Sequence, residues 1–213
     1  MRTGEVFALT WDDVDFENHM IKISKTVYSK IKDDNGRWFL GTTKTEGSCR
    51  GVYICDTLYK VLKNYHKQQQ LLKKSYGSNY KKYNLESIKN KYGKVTEYKI
   101  VESKYKKKSN VEMLFTRKNG RYVGTDIIKY PFKIIHNELG IKNCRFYDLR
   151  GSFATICLRN GAEIKDVACV LGHKKIETTE NYYITSSIET REDVSRVFEN
   201  KIQSNIIKAI ITF

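Results

Sequence analysis

The sequence predicts an α+β fold, a mainly helical domain with a small antiparallel β-sheet near the N-terminus. Two observations predict it. Residues 20–27 alternate apolar and polar side chains, and two more short strand-like segments follow before residue 56. From residue 125 onward, apolar side chains recur at the spacing of amphipathic helices instead.

The N-terminal elements are justified in chain order. A short helix is predicted over residues 3–9, with Thr3 as its cap and Glu5 near its start. After the strand at 20–27, Asn35-Gly36 predicts a hairpin turn. Strands around residues 39–45 and 51–55, separated by a flexible segment at 46–48, then complete the small sheet.

A lysine-rich stretch follows an amphipathic helix that is predicted from residue 56 to about residue 74. Residues 60–108 contain 15 lysines, no arginine and three acidic residues, and tyrosines are interleaved with the lysines. Two interpretations stay open. Like charges repel and extend a chain, which favours a solvated, partly mobile insertion over about residues 75–108. Lysines and tyrosines together also suit a surface that faces DNA.

The second half is predicted to be helical over residues 125–139 (kinked or restarted at Pro131), 148–160, 163–171, 177–183 and 189–206. Two of these are predicted to be core helices, 148–160 and 163–171, each ended by a glycine. The first has an apolar stripe formed by Leu149, Phe153, Ile156 and Cys157.

Composition narrows the classes of function. The formal net charge of +15 indicates a polyanionic partner, of which nucleic acid is the commonest. Nothing in the sequence reaches the length of a membrane helix or marks an export signal, so we expect a cytoplasmic protein without membrane partners. The five cysteines include no CxxC pair, which disfavours disulfides and a zinc site and predicts reduced, mostly buried thiols.

Three short motifs stand out: M-R-T-G-E at residues 1–5, Y-D-L-R-G at 147–151 and L-G-H-K-K-I-E-T-T-E-N-Y at 171–182. In this order they resemble the tyrosine recombinase, or phage integrase, family. That family has an R-x-G-E motif, a lysine on a sheet hairpin, an H-x-L-R-H motif, and L-G-H followed nine residues later by a tyrosine. Tyr182 lies nine residues after His173, and the resemblance extends over about residues 2–200.

The resemblance implies an enzyme that cuts and rejoins DNA strands through a 3′-phosphotyrosine. Its catalytic residues would be Arg2, Lys44, Arg150, His173 and Tyr182. Lys44 is assigned from its place just before the turn at 46–48, and the spacing from His173 favours Tyr182 over the adjacent Tyr183. Charged side chains act in this chemistry, so neither a metal nor another cofactor is expected. The implied partners are double-stranded DNA and further copies of the chain in a tetrameric synapse, with no small-molecule substrate.

Two departures from the family pattern matter. Tyr147 stands where the family has a histidine, and Gly151 replaces a second one. A phenol can exchange hydrogen bonds with a phosphate but cannot act as an acid or base near neutral pH, and Tyr147 could equally be a packed aromatic at a helix start. Arg2 also lacks the helix and the core-binding domain that precede it in the family. We therefore expect residues 1–213 to be a catalytic domain alone.

Other functions stay open at this point. The chain could be a DNA-binding remnant that no longer cuts, or a topoisomerase of type IB, which shares the residue set but does not pair two sites. RNA binding has no supporting motif. The mostly apolar segment 206–213 either packs on its own domain or, as the resemblance implies, is donated to a neighbouring protomer.

Overall fold

A computed structural model describes residues 1–30, 38–42, 49–104, 109, 111–142, 144–173, 175, 177 and 179. The chain divides into two compact units, Met1–Lys174 and Lys175–Phe213, and the first is described below. The helices predicted over residues 177–183 and 189–206 lie almost entirely outside the described residues, and the segment 206–213 and the turn at 35–36 lie wholly outside them.

A three-stranded antiparallel sheet follows a short helix, α1 (Thr3–Phe7). Its strands are β1 (Val14–Asp15), β2 (Met20–Ile23) and β5 (Arg50–Tyr53), in the order β1-β2-β5. The register pairs Ile23 with Arg50, which fixes the position of Arg50 at the start of β5.

A four-stranded antiparallel sheet has the order β3-β4-β7-β6. Its strands are β3 (Lys25–Ser29), β4 (Trp38–Thr42), β6 (Tyr83–Lys89) and β7 (Val95–Glu102). The single strand predicted over 20–27 is therefore wrong, because the chain changes sheets at Ser24. Ile21, Ile23 and Val27 are all buried at odd-numbered positions, so the alternation continues through the break and does not reveal it.

Strands β6 and β7 form a hairpin from the lysine-rich stretch. Ile100 on β7 is 5% exposed and packs in the core, and β7 pairs with β4 through Leu40 and Tyr98. A mobile insertion is therefore the wrong interpretation for residues 83–102, since the apolar face of the hairpin extends the sheet. The hairpin turn is built by Asn90, whose Oδ1 accepts hydrogen bonds from the backbone N–H groups of Tyr92 and Lys94.

Two hydrophobic clusters hold the unit together. One includes Phe7, Val27, Leu40 and Ile100 and joins α1 to the four-stranded sheet. The second packs helix α2 (Asp56–Tyr76) against the three-stranded sheet, and its members are Leu9, Trp11, Val14, Ile21, Ile23, Ile54, Leu62 and Leu114. Helix α2 was predicted almost to its observed end.

Three helices follow: α3 (Lys129–Asn137), α4 (Asp148–Arg159) and α5 (Ile164–Leu171). Pro131 lies in the first turn of α3, where its missing N–H leaves no helical hydrogen bond unmade, so the helix restarts there as predicted. Gly161 and Gly172 follow α4 and α5 with φ angles of +89° and +72°, as expected for glycines that end helices.

The predicted burial is confirmed for α5 and wrong for α4. Val167, Ala168 and Leu171 of α5 are buried. On α4, however, Leu149, Phe153 and Ile156 are 55%, 46% and 61% exposed, and the buried residues are Arg150 and Ala154. The side of α4 that carries Arg150 and Ala154, about 100° round the helix from the apolar stripe, therefore points inward.

The prediction that most cysteines are buried is wrong. Cys49, Cys55 and Cys169 are exposed, and the other two are half-buried. Helix α2 and the other described helices are too short or too polar to cross a membrane.

Candidate functional site

The first part of the site is the turn that starts α1. The helix begins at Thr3 with Arg2 as its N-cap, so Thr3 is not the cap that was predicted. Glu5 Oε2 accepts a hydrogen bond from the backbone N–H of Arg2 at 2.7 Å, and Glu5 Oε1 accepts one from Arg2 Nη1 at 2.9 Å. The side chain of Glu5 is 3% exposed and that of Arg2 is 43% exposed. The buried carboxylate thus fixes the direction of a partly exposed guanidinium.

Arg150 is the second element of the site. It lies on the inward face of α4, is 6% exposed, and donates from Nη2 to the carbonyl oxygen of Leu171 at 2.6 Å. Its Nη1 atom is buried and has no hydrogen-bond partner among the described residues. Burial and the charge of Arg2 lower the pKa of Arg150, whereas Tyr147 and Glu5 raise it. Arg2, Tyr147 and Glu5 therefore lie within electrostatic reach of Arg150.

His173 is the third element. Gly172 turns the chain at the end of α5, and the backbone N–H of His173 donates to Ala168 O at 3.0 Å. Burial lowers the pKa of His173, and the charges of Arg150, Arg2 and Arg50 lower it further. The imidazole is consequently neutral near pH 7 and can accept a proton.

The structure thus brings together Arg2, Arg150 and His173, which lie far apart in the sequence. Tyr147 lies beside them as the residue before α4, and it is 45% exposed. Lys44, Tyr182 and Tyr183 lie outside the described residues, so their predicted roles stay predictions.

Sequence reasoning missed Arg50. Arg50 is the first residue of β5, and its side chain is 8% exposed. The guanidinium donates from Nη2 to Glu5 Oε2 at 2.9 Å and from Nε to Val170 O at 2.9 Å. The available signal was an arginine two residues after the predicted turn at 46–48, ahead of the stretch 60–108 that contains lysines and no arginine. No motif marks it, because its partners lie 45 and 120 residues away.

The electrostatic character of the site suits an anion. Three guanidinium groups surround a single carboxylate, that of Glu5. Burial raises the pKa of Glu5, but hydrogen bonds from Arg50 and Arg2 outweigh that effect and lower the pKa to about 2. Within the described part of the chain, no group of three or more His, Cys, Asp or Glu side chains could hold a metal ion.

Comparison with known proteins places this site in a family. The model of the phage integrase family matches residues 1–189. The chain belongs to the phage integrase family. The resemblance inferred from the three motifs is thereby confirmed, and so is the α+β fold class.

Individual proteins that are similar to this chain have names that agree with the family match. The chain is 26% identical over 206 residues to a "Tyrosine recombinase XerC-like" protein of Caldanaerobacter subterraneus subsp. tengcongensis, covering 91% of this chain and 46% of that protein. It is 24% identical to the "Transposase from transposon Tn916" of Enterococcus faecalis, covering 97% of this chain and 45% of that one. The chain therefore spans about half the length of the curated relatives it matches.

A solved structure supports the fold of this phage integrase family member. The integrase of transposon Tn1549, determined in complex with a circular intermediate DNA, matches with a TM-score of 0.61 at 18% identity. The match covers 92% of this chain and 54% of the transposon integrase. At that identity the likeness establishes the fold.

Proposed function

We propose that this chain is the catalytic domain of a site-specific DNA recombinase that cleaves and rejoins strands through a 3′-phosphotyrosine at Tyr182. The observation that carries this proposal is the convergence of Arg2, Arg150 and His173, from three separate elements, on one basic site. Arg150 donates to the carbonyl oxygen of Leu171, two residues before His173. Glu5 and Arg50 link Arg2 to the same helix end. An enzyme that cleaves a phosphodiester with side chains alone needs fixed cations, here Arg2 and Arg150, beside a group that can accept a proton.

The two arginines would bind the phosphate. Guanidinium groups make planar, bidentate hydrogen bonds to the non-bridging oxygens and remain charged throughout the reaction. Arg2 is partly exposed and held by Glu5, while Nη1 of Arg150 has no hydrogen-bond partner within the described part of the chain. Preorganised donors of this kind stabilise a transition state by roughly 3 to 4 kcal/mol each.

The cleavage step then follows from the chemistry of tyrosine. The Oη atom of Tyr182 attacks phosphorus, the bond from phosphorus to the 5′-oxygen breaks, and a 3′-phosphotyrosine forms. The phenol must lose its proton, and the neutral imidazole of His173 accepts it. The departing 5′-oxygen needs a proton, which we assign to Lys44. Rejoining reverses these transfers, so no bond energy is lost to water.

The substrate and the assembly belong to the same proposal. The net charge of +15 suits double-stranded DNA. Relatives named as transposases and a solved structure with transposon DNA favour a mobile element as the source of that DNA. Recombination joins two sites, so we propose that copies of the chain associate on DNA as a tetramer.

The test replaces the nucleophile. A duplex is selected from a random-sequence library for binding to the chain and is then nicked, so that the short cleaved strand diffuses away and traps the covalent product. Tyr182→Phe is expected to abolish the covalent protein-DNA band while DNA affinity stays within about threefold, because the phenol adds little to binding. The matched control is Tyr183→Phe, which is expected to retain the band.

The opposite pattern, a band with Tyr182→Phe and none with Tyr183→Phe, would transfer the nucleophile to Tyr183. Tyr147 favours a second candidate function, since a phenol in place of an imidazole removes one acid-base group from the site. If the unaltered chain binds DNA without any covalent band, the chain is a DNA-binding protein that does not cut.

A further inference from the structure

The carboxylate of Glu5 joins two arginines that come from different elements. Its Oε2 accepts from the backbone N–H of Arg2 and, at 2.9 Å, from Nη2 of Arg50. Its Oε1 accepts from Nη1 of Arg2 at 2.9 Å and from Nη1 of Arg50 at 3.3 Å. Both oxygens are therefore shared between Arg2 and Arg50, and Oε1 binds both guanidinium groups. Any displacement of Arg50 changes the support of Arg2.

Arg50 also contacts the end of α5, directly before His173. Its Nε donates to Val170 O at 2.9 Å. A Cβ atom at Gly172 would lie 2.8 Å from Nη1 and 2.9 Å from Cζ of Arg50, so the guanidinium packs flat on the glycine. Gly172 has a φ of +72°, and this left-handed turn sets the direction in which the chain reaches His173.

Two successive carbonyl groups at this helix end accept hydrogen bonds from arginines of two different elements. Val170 O is bound by Arg50 of β5, and Leu171 O is bound by Arg150 of α4. The C-terminal carbonyls of a helix carry partial negative charge, so both cations stabilise them. The end of α5 is thereby held at the same place as the site's arginines.

The side chain of Arg50 is only 8% exposed, whereas that of Arg2 is 43% exposed. A phosphate that contacts Arg2 from solvent therefore does not reach Arg50 directly. A guanidinium is needed at Arg50, because its Nη atoms bind the carboxylate of Glu5 while its Nε binds the carbonyl oxygen of Val170. A lysine keeps the charge but supplies a single nitrogen.

We infer that Arg50 is a positioning residue for strand cleavage: through Glu5 it holds Arg2, and through Val170 and Gly172 it holds His173. This inference rests on the proposed function of the site. It assigns to the start of β5 a part in the reaction that the three motifs do not mark.

The test is Arg50→Lys, with Arg159→Lys as the matched control at the exposed end of α4. Folding is checked first by near-ultraviolet circular dichroism. The rate of covalent complex formation is then measured in a single turnover at saturating concentrations of the nicked duplex. Arg50→Lys is expected to lower that rate by about 10- to 100-fold, the loss typical of a displaced catalytic group, while DNA affinity stays within about threefold. Arg159→Lys is expected to leave both unchanged.

Equal rates for folded Arg50→Lys and Arg159→Lys would overturn the inference. If Arg50→Lys does not fold, Gly172→Ala takes its place, because the added Cβ displaces the same guanidinium, and an unchanged rate there would also overturn it. Should the unaltered chain form no covalent complex, the proposed function fails, and the positioning role is decided by NMR without DNA. A shift of the His173 ring signal in Arg50→Lys but not in Arg159→Lys supports the role, and an unmoved signal refutes it.

Discussion

Arg150 keeps a charge in a place where burial disfavours one. Its Nη2 is satisfied by Leu171 O, but its Nη1 is buried without a partner among the described residues. An unmade hydrogen bond of a buried donor costs roughly 1 to 3 kcal/mol, and more for a charged group. A bound oxyanion would offset that cost.

His173 gives a pH prediction for stability. Burial and then the charges of Arg150, Arg2 and Arg50 lower its pKa below the ordinary value of about 6.5. The unfolded chain therefore binds a proton at this histidine more readily than the folded chain, and the folded state loses stability as the pH falls below about 6.5. Above that pH the contribution is constant.

The measurement is urea unfolding at about pH 7.5 and about pH 5.5. The free energy of unfolding is expected to decrease more for the unaltered chain than for His173→Gln, which cannot bind the proton. His19, His66 and His136 are present in both proteins, so their titration cancels. An equal decrease in both proteins would mean that His173 titrates alike in the folded and unfolded states.

At the scale of elements, the β6–β7 hairpin joins the lysine-rich stretch to the core through one face and leaves its turn exposed. Lys89, Lys91 and Lys94 surround that turn, and Tyr92 is 79% exposed. If these lysines contact DNA, they release counterions. Changing all three to glutamine is expected to flatten the slope of log affinity against log salt by roughly 0.9 for each lysine that contacts a phosphate.

The control for the hairpin removes three exposed lysines elsewhere, namely Lys22, Lys60 and Lys67. It is expected to change the slope less than the hairpin variant does. Equal slopes for the two variants would show that the hairpin contributes only through the overall charge of the molecule.

The exposed face of α4 gives a second prediction at this scale. Leu149 is 55% exposed and Leu171 of α5 is 2% exposed. Leu171→Ala is expected to lower the free energy of unfolding by about 2 to 5 kcal/mol, because it leaves a cavity in the core. The same change at Leu149 is expected to stay within about 0.5 kcal/mol, as for other surface positions. A large loss at Leu149, measured by urea unfolding, would mean that this face is covered.

The elements show which parts of the fold a sequence can predict. Helices α2 and α5 follow from apolar spacing and terminal glycine, since these signals are local. The division of one alternating segment into β2 and β3 does not, because Ile21, Ile23 and Val27 keep one period while their sheets differ. The apolar stripe of α4 gave a wrong prediction of the buried face. Apolar spacing predicts which face is buried only where no charged residue is buried on another face, and on α4 the buried face is the one that carries Arg150.

For the molecule as a whole, the motifs predicted Arg2, Arg150 and His173, and the fold brings them together from α1, α4 and the end of α5. Arg50 and its contacts could not be predicted, since a hydrogen bond across 120 residues leaves no trace in local spacing. In the proposed function, what the motifs encode is the group that meets the substrate. The residues that hold this group are determined by the tertiary structure.

The last prediction concerns the electrostatics of the entire site. In the proposed reaction, guanidinium groups offset the charge of the transition state, and protons move to His173 and from Lys44, so no step uses a metal ion. Cleavage at saturating DNA is therefore expected to persist in EDTA. DNA binding should not weaken, since divalent ions compete with lysines for the phosphates. The single-turnover rate of covalent complex formation measures this, with a magnesium-dependent restriction enzyme in the same buffer as the control that EDTA must stop. Loss of the chemical step together with that control would show that cleavage needs a divalent ion and would contradict the assignment of charge stabilisation to Arg2 and Arg150.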